Sequence, residues 1–497
     1  MPLKKRKPPI SARNRAGLPG VHRLLFSAVL ALLLPLCAAS QPAAIQQLIA
    51  QSGAGDAIWS LQVRDSSGTV LLEWNADKLM RPASNLKLIS SSAFLSHFGS
   101  DFRFQTHLYV NGSVNESGVL RGDLIVRGSG DPTMNYITYD DPLDIFSRWA
   151  AVLDSIGIRE IDGNIIGHEG LFDDIPYPKG WEWDDLSYYY APELSALSFN
   201  SNVVNLEVMA GDEPGTAPSI QWSPMNTPYV QFINEQVVTP IGTRFEEDYR
   251  RILGTNTIFL RSTLPVGYYE TEPLSVHDPA RYFADTLKRY LQQRGTPVRG
   301  QALTTRQFYD WQLFRKVHTE WSPPLGEMVV QINRESDNFY TEMLLKAMAA
   351  SRSGVNGSTE NGLQMLREFM ISEGFSNNAI TLRDASGMAP ATLLRTSELN
   401  AFLVNVMRKP YFEEYYNSLA TGGQNGTLKY RFGGTELINS FQGKTGFVSG
   451  VRSLSGYLDT RSGTRLVVTI ITNNYTLRTS QIDRVHEQIL QRLMETY

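Results

Sequence analysis

Cysteine is almost absent: Cys37 is the only one in 497 residues, so neither a disulfide framework nor a thiolate metal site can be built. The seven histidines, at 22, 97, 107, 168, 277, 318 and 486, are scattered and form no His-x-x-x-His pair, which leaves no zinc-ligand spacing. There is no Gly-x-Ser-x-Gly elbow, no phosphate-cradling glycine loop and no dinucleotide fingerprint. The usual hydrolase triad, nucleotide chemistry and hydride transfer each lack the turn they need. The expectation is therefore a protein with no cofactor and no metal. No internal repeat or long low-complexity tract occurs, and no apolar run reaches the ~20 residues that span a bilayer.

What is present begins with an unusual start. "MPLKKRKPPISARNR" is basic without an acid, and "LLFSAVLALLLPLCAAS" follows as an apolar stretch closing in small residues. That order reads as a secretory signal over residues 1–40, cleaved near Ser40; the other reading is an uncleaved anchor. Leu36 before Cys37 is too bulky for a lipidation site. The remaining chain carries 39 basic against 50 acidic side chains, a formal charge of −11. An acidic, exported protein is not a general nucleic-acid binder, and its substrate is expected outside the cytoplasm, in the periplasm or cell envelope.

The pattern along the rest is mixed. "AIWSLQVRDSSGTVLLEWN" alternates around a turn and predicts a hairpin. "PASNLKLISSSAFLSHFG" has Pro82 in a first turn, an apolar run and a closing Gly99, which predicts a helix. Short strands and turns dominate from 104 to about 270, broken by a helix at "PLDIFSRWAAVLDSIG" and followed by one at "PARYFADTLKRYLQQRG". Helices at about 327–350, 360–374 and 396–408, three strands and a closing helix complete the chain. The two outer pieces, 41–103 and 300–497, are each incomplete. Joined, they predict an α/β domain with a five-stranded antiparallel sheet flanked by helices, carrying 104–299 as a mainly β insertion of one or two nested units.

Within the first helix, Ser84 and Lys87 stand three residues apart, hence on one face. A serine hydroxyl becomes a nucleophile when a neighbour takes its proton, and a buried lysine with a lowered pKa can do so. Ser-x-x-Lys alone is weak, since chance places it in chains of this size. Two further stretches raise it: Ser336-Asp337-Asn338 in "NRESDNFYTEMLL", opening a helix, and Lys444-Thr445-Gly446 in "FQGKTGFVSG", ending a strand. Each has an ordinary structural explanation, a helix cap or an edge-strand charge. Their ordered co-occurrence is characteristic of serine acylating enzymes.

On these motifs, with "RPASNLK", "RGSGDPT" and the 252-residue separation of Ser84 from Ser336, the chain resembles the class C low-molecular-mass penicillin-binding proteins. These are D-alanyl-D-alanine carboxypeptidases and endopeptidases with a serine β-lactamase/transpeptidase-like domain. The resemblance implies that Ser84 is acylated and Lys87 is its base, with Ser336 and Asn338 across the cleft in proton relay and amide binding. It implies that Lys444 and Thr445, next to Gly446, hold the substrate's terminal carboxylate. The Ser84 and Phe447 N–H groups would form the oxyanion hole. Asp185, in "WEWDDLSYY", resembles an acid of the insert that reaches a side-chain amine of the substrate; a solvated loop acid is the plainer explanation. Asp131 and Gly130 are expected to shape a turn. "DASGMAP" departs from the family's Gly-Ser-Gly at Ala385.

The implied partners are peptidoglycan stem peptides and β-lactams as covalent inhibitors, with no nucleic acid and at most a loose membrane association. Two alternatives share the motifs. A β-lactamase would use the same nucleophile with faster deacylation, and a non-catalytic wall- or β-lactam-binding protein would keep the scaffold without turnover.

Overall fold

The structure, a computed structural model, describes residues 41–354 and 356–497; the signal segment and Cys37 lie outside them. The chain divides into two compact units, residues 1–48 and 49–497, and the described part of the first is helical.

In the second unit the expected sheet forms from both ends of the chain. Phe441–Val448, Val451–Asp459, Arg465–Asn473, Ile58–Asp65 and Val70–Trp74 lie side by side in that order, antiparallel throughout. The two-residue strand Ala420–Thr421 extends the edge beside Phe441–Val448. Strand Arg465–Asn473 is buried along nearly its whole length, because both faces of the sheet are covered here. On one face Val467 and Ile471 join the helical core with Phe402 and Leu403. On the other, Thr472 meets His486 of the closing helix Thr479–Thr496.

The helix Lys87–Phe98 runs through that helical core with every residue from Lys87 to Leu95 buried. Its serines are satisfied from neighbouring elements: Ser90 Oγ donates to Ala385 O at 2.7 Å, and Ser91 Oγ accepts from Asn333 Nδ2 at 3.0 Å. Region 327–350 is two helices, Leu325–Arg334 and Asn338–Ser353. They are divided at Ser336, whose φ of 69° breaks the helical path. A short helix, Phe412–Ser418, had no clear periodic signal.

The inserted region is built on a mixed sheet ordered Ala302–Thr305, Ile165–His168, Val119–Arg127, Gln105–Val114 and Arg315–Trp321. Helices Leu143–Ser155 and Pro279–Gln293 share a core with it, while Tyr309, Trp311 and Phe314 pack on Tyr109, Ile125 and Ile166. Smaller sheets between Val203 and Ser275 complete it. The division expected at 299/300 needs correction: Ala302–Thr305 pairs with Ile165–His168, and Arg315–Trp321 with Gln105–Val114. The insert's sheet therefore extends to Trp321, because pairing partners over 130 residues away decide where these strands belong.

Candidate active site

Ser84 follows a constrained entry. Pro82 precedes Ala83, which sits at φ 47°, and a 3₁₀ turn over Ala83–Leu86 leads into the helix at Lys87. A left-handed alanine is unfavourable by itself and is held by its surroundings. Gly387, at φ 78°, permits the approach: a Cβ there would stand 2.0 Å from Ala83 O.

Lys87 is fully buried, and its Nζ reaches three acceptors. It donates to Ser84 Oγ at 2.9 Å, Asn338 Oδ1 at 2.6 Å and Ser386 O at 3.0 Å. Burial disfavours the ammonium and brings its pKa down to about 8, against the opposing pull of Asp384, Glu342 and Asp337. The Ser84 hydroxyl thus lies beside an amine that can lose its proton near neutrality.

Asp337, rather than Ser336, caps the helix that carries Asn338, accepting from Tyr340 N at 2.9 Å. Burial pushes the Asp337 carboxyl up. Asn338 Nδ2 donates to Tyr190 O at 2.8 Å, a backbone carbonyl of the insert, which fixes the amide so that its oxygen faces Lys87.

Lys444, Thr445, Gly446 and Phe447 lie in strand Phe441–Val448. Lys444 is fully buried, and its Nζ donates to Thr445 O at 2.9 Å. Burial, with the Lys87 and Arg452 charges adding to it, holds its pKa well below the usual lysine range. Thr445 Oγ1 donates to Thr427 Oγ1 at 2.8 Å. Phe447 is 55% exposed.

A cleft of about 1060 Å³ opens over Ser84 and is lined also by Ser336, Asn338, Phe447, Arg81 and Met388. Asp185 lines the same cleft from the insert and accepts from Tyr190 Oη at 3.1 Å. Burial raises its carboxyl pKa, with Asp184 and Glu182 adding to the effect. Asp131 shapes a turn, its Oδ1 taking the Thr133 N–H at 2.8 Å, beside Gly130 at φ 83°.

Sequence reasoning missed the support beneath Lys87. Glu342 Oε1 accepts the Ala385 and Ser386 N–H groups at 2.9 and 2.8 Å. Asp384 Oδ2 takes Met388 N, Ala389 N, Ser386 Oγ and the insert's Trp181 Nε1. The available signals were an acid one turn after Asn338 and another heading "DASGMAP". Ala385, the departure from the family pattern, is buried and leaves this backbone bonding intact.

The curated D-alanyl-D-alanine carboxypeptidase of Actinomadura sp. (strain R39) is 26% identical over 425 residues, 83% of this chain and 77% of that one. The D-alanyl-D-alanine carboxypeptidase DacB of Haemophilus influenzae is 24% identical over 416 residues, 82% and 83% of the two chains. The crystal structure of penicillin binding protein 4 (dacB) from Haemophilus influenzae shares the fold, with a TM-score of 0.80 at 21% identity, covering 90% of this chain and 99% of that one. The model of the D-Ala-D-Ala carboxypeptidase 3 (S13) family matches residues 41–495. The chain belongs to that family, and so to the low-molecular-mass class C penicillin-binding proteins.

Proposed function

We propose that this serine DD-peptidase works through an acyl-enzyme on Ser84, with Lys87 as its base. The observation that carries this reading is the Lys87 amine, fully buried and 2.9 Å from Ser84 Oγ. Oγ attacks the carbonyl carbon of the D-alanyl-D-alanine bond as Lys87 Nζ takes the hydroxyl proton. The tetrahedral oxyanion is met by the Ser84 and Phe447 N–H groups. The C–N bond breaks, the proton passes to the departing D-alanine amine, and Ser336 lines the cleft as a second hydroxyl for that transfer. Water then cleaves the ester by the reverse proton path and restores Ser84.

Asn338 binds the substrate amide and keeps Lys87 in place. Thr445 and Lys444 hold the terminal carboxylate, whose charge would favour the Lys444 ammonium that burial disfavours. Gly446 keeps the strand close to Ser84. Asp185 meets a side-chain amine of the stem peptide. The same site takes β-lactams as covalent inhibitors. The basic, apolar and small-residue order of residues 1–40 supports export to the cell envelope, where peptidoglycan cross-links are a second substrate.

The test is intact-mass analysis after exposure to benzylpenicillin, with Ser84→Ala as control, followed by assay of D-alanine release. A stable adduct on the wild type alone is expected. Rapid loss of the adduct with destruction of the drug would indicate a β-lactamase. A folded wild type that takes no adduct would overturn the nucleophile assignment.

A further inference from the structure

Glu342 stands one helical turn beyond Asn338 on the Asn338–Ser353 helix and is fully buried. One of its carboxylate oxygens, Oε1, holds the Ala385 and Ser386 N–H groups. The other, Oε2, is buried with no hydrogen-bond partner. Buried polar atoms are nearly always paired, so an unpaired carboxylate oxygen beside a reactive amine calls for an explanation.

The backbone that Glu342 grips is the one that meets the base. Ser386 O accepts from Lys87 Nζ at 3.0 Å, and Ser90 Oγ steadies the same segment by donating to Ala385 O at 2.7 Å. One helix therefore fixes Lys87 twice, directly through Asn338 Oδ1 and indirectly through Glu342 and the Ser386 carbonyl.

We propose that Glu342 is a positioning residue for acylation: it fixes the Ala385–Ser386 backbone so that the Ser386 carbonyl meets Lys87 Nζ, and its charge biases the protonation of that amine. The inference rests on the reading of Lys87 as the base.

Four ionisable groups bear on Lys87. Asp337 and Glu342 come from the helix, Asp384 from the loop, and Lys444 from the neighbouring strand. Asp384 has both oxygens hydrogen-bonded, with Thr392 Oγ1 on Oδ1. Asp337 is committed to Tyr340 N and Gln331 Nε2. Of the three acids, Glu342 alone keeps a buried oxygen without a donor. Burial, with the Asp384 charge adding to it, pushes its carboxyl up to about 8, the range to which Lys87 is brought down. The Glu342 charge is one of those that pull the Lys87 pKa back up against burial. An ionised Glu342 favours the Lys87 ammonium; a protonated one favours the neutral amine that can accept the Ser84 proton.

The experiment measures the second-order rate of benzylpenicillin acylation against pH for the wild type, Glu342→Gln and Glu342→Ala, with circular dichroism on each. The glutamine oxygen can still take both N–H groups but carries no charge. Glu342→Gln is expected to stay within about threefold of the wild-type maximum, with the midpoint of its acid limb moved to lower pH, because the fraction of Glu342 that is ionised around that midpoint, and favours the ammonium, is gone. Glu342→Ala is expected to lose about tenfold or more in rate as the Ser386 carbonyl loses its anchor. An unmoved acid limb in Glu342→Gln overturns the proposal. So does a folded Glu342→Ala at the wild-type rate. If the alanine variant does not fold, the limb of the glutamine variant decides alone. A wild type that takes no acyl group fails the Lys87 reading and this inference with it, whereas an acylating wild type beside an unmoved variant fails this inference alone.

Discussion

Gly446 lies against Ser84 so closely that the strand and the nucleophile turn share no room for a side chain: a Cβ on Gly446 would stand 3.0 Å from Ser84 N, 2.9 Å from Pro82 O and 2.2 Å from Ser453 Oγ. The reason is a local lock, since Ser453 Oγ donates to Pro82 O at 2.7 Å directly beneath. Gly446→Ala should therefore cost about 1–3 kcal/mol of stability through overpacking. Its acylation rate should fall by about tenfold or more as the strand is pushed from Ser84. Thermal melting and benzylpenicillin trapping check the two parts. Undiminished acylation would mean that the strand's distance from Ser84 is not critical.

Asp185 gives a test of specificity rather than of chemistry. It lines the cleft from the insert and accepts from Tyr190 Oη at 3.1 Å, which leaves acceptor capacity for an incoming donor. Asp185→Asn should lower kcat/KM about five- to tenfold for a stem peptide with a free side-chain amine, a modest factor because the acid is partly solvated. The same peptide acetylated on that amine, and benzylpenicillin, should show no change. Equal losses on all three would assign Asp185 to the scaffold.

Trp181 couples the insert to the support of the base. Its Nε1 donates to Asp384 Oδ2 at 3.2 Å, in the loop whose Ser386 carbonyl holds Lys87. Trp181→Phe keeps most of the ring and removes that donor. Asp384 retains Met388 N and Ala389 N at 2.7 and 2.9 Å, so the carboxylate stays satisfied. The expected loss is about 1–2 kcal/mol, in the range for hydrogen bonds to charged groups. Acylation should slow by less than about tenfold, since the loop keeps its other anchors. Chemical denaturation and the acylation rate measure both. A variant as stable and fast as the wild type would show that this contact does not link insert and base.

The legible parts of this site were those in which chemistry dictates residue type at short spacing. A spacing of three puts Ser84 and Lys87 on one helical face, and the structure sets Lys87 Nζ 2.9 Å from Ser84 Oγ. The sheet was legible from two pieces that were each incomplete. What sequence could not give was set by distant backbone. The carbonyls of Tyr190 and Ser386, which orient Asn338 and Lys87, leave no trace in residue identity. The end of the insert at Trp321 depends on pairing with Gln105–Val114, and no local pattern announces it. The helix predicted across 327–350 is two in the structure: the chain turns at Ser336, φ 69°, inside the polar run 333–338, where the apolar periodicity lapses.

The most direct test of the chemistry is the pH dependence of acylation. Lys87 must be neutral to take the Ser84 proton, and its pKa is brought down to about 8 by burial, against the pull of Asp384, Glu342 and Asp337. The sign follows: lowering pH through that value fills the amine with a proton and removes the base. The acylation rate should therefore fall about tenfold per pH unit on the acid side and level off above. Stopped-flow trapping with a chromogenic β-lactam between pH 5 and 10 would draw the limb. A midpoint near that of an ordinary lysine would mean that burial does not lower this amine in solution. A rate flat across the whole range would mean that Ser84 gives its proton to some other group.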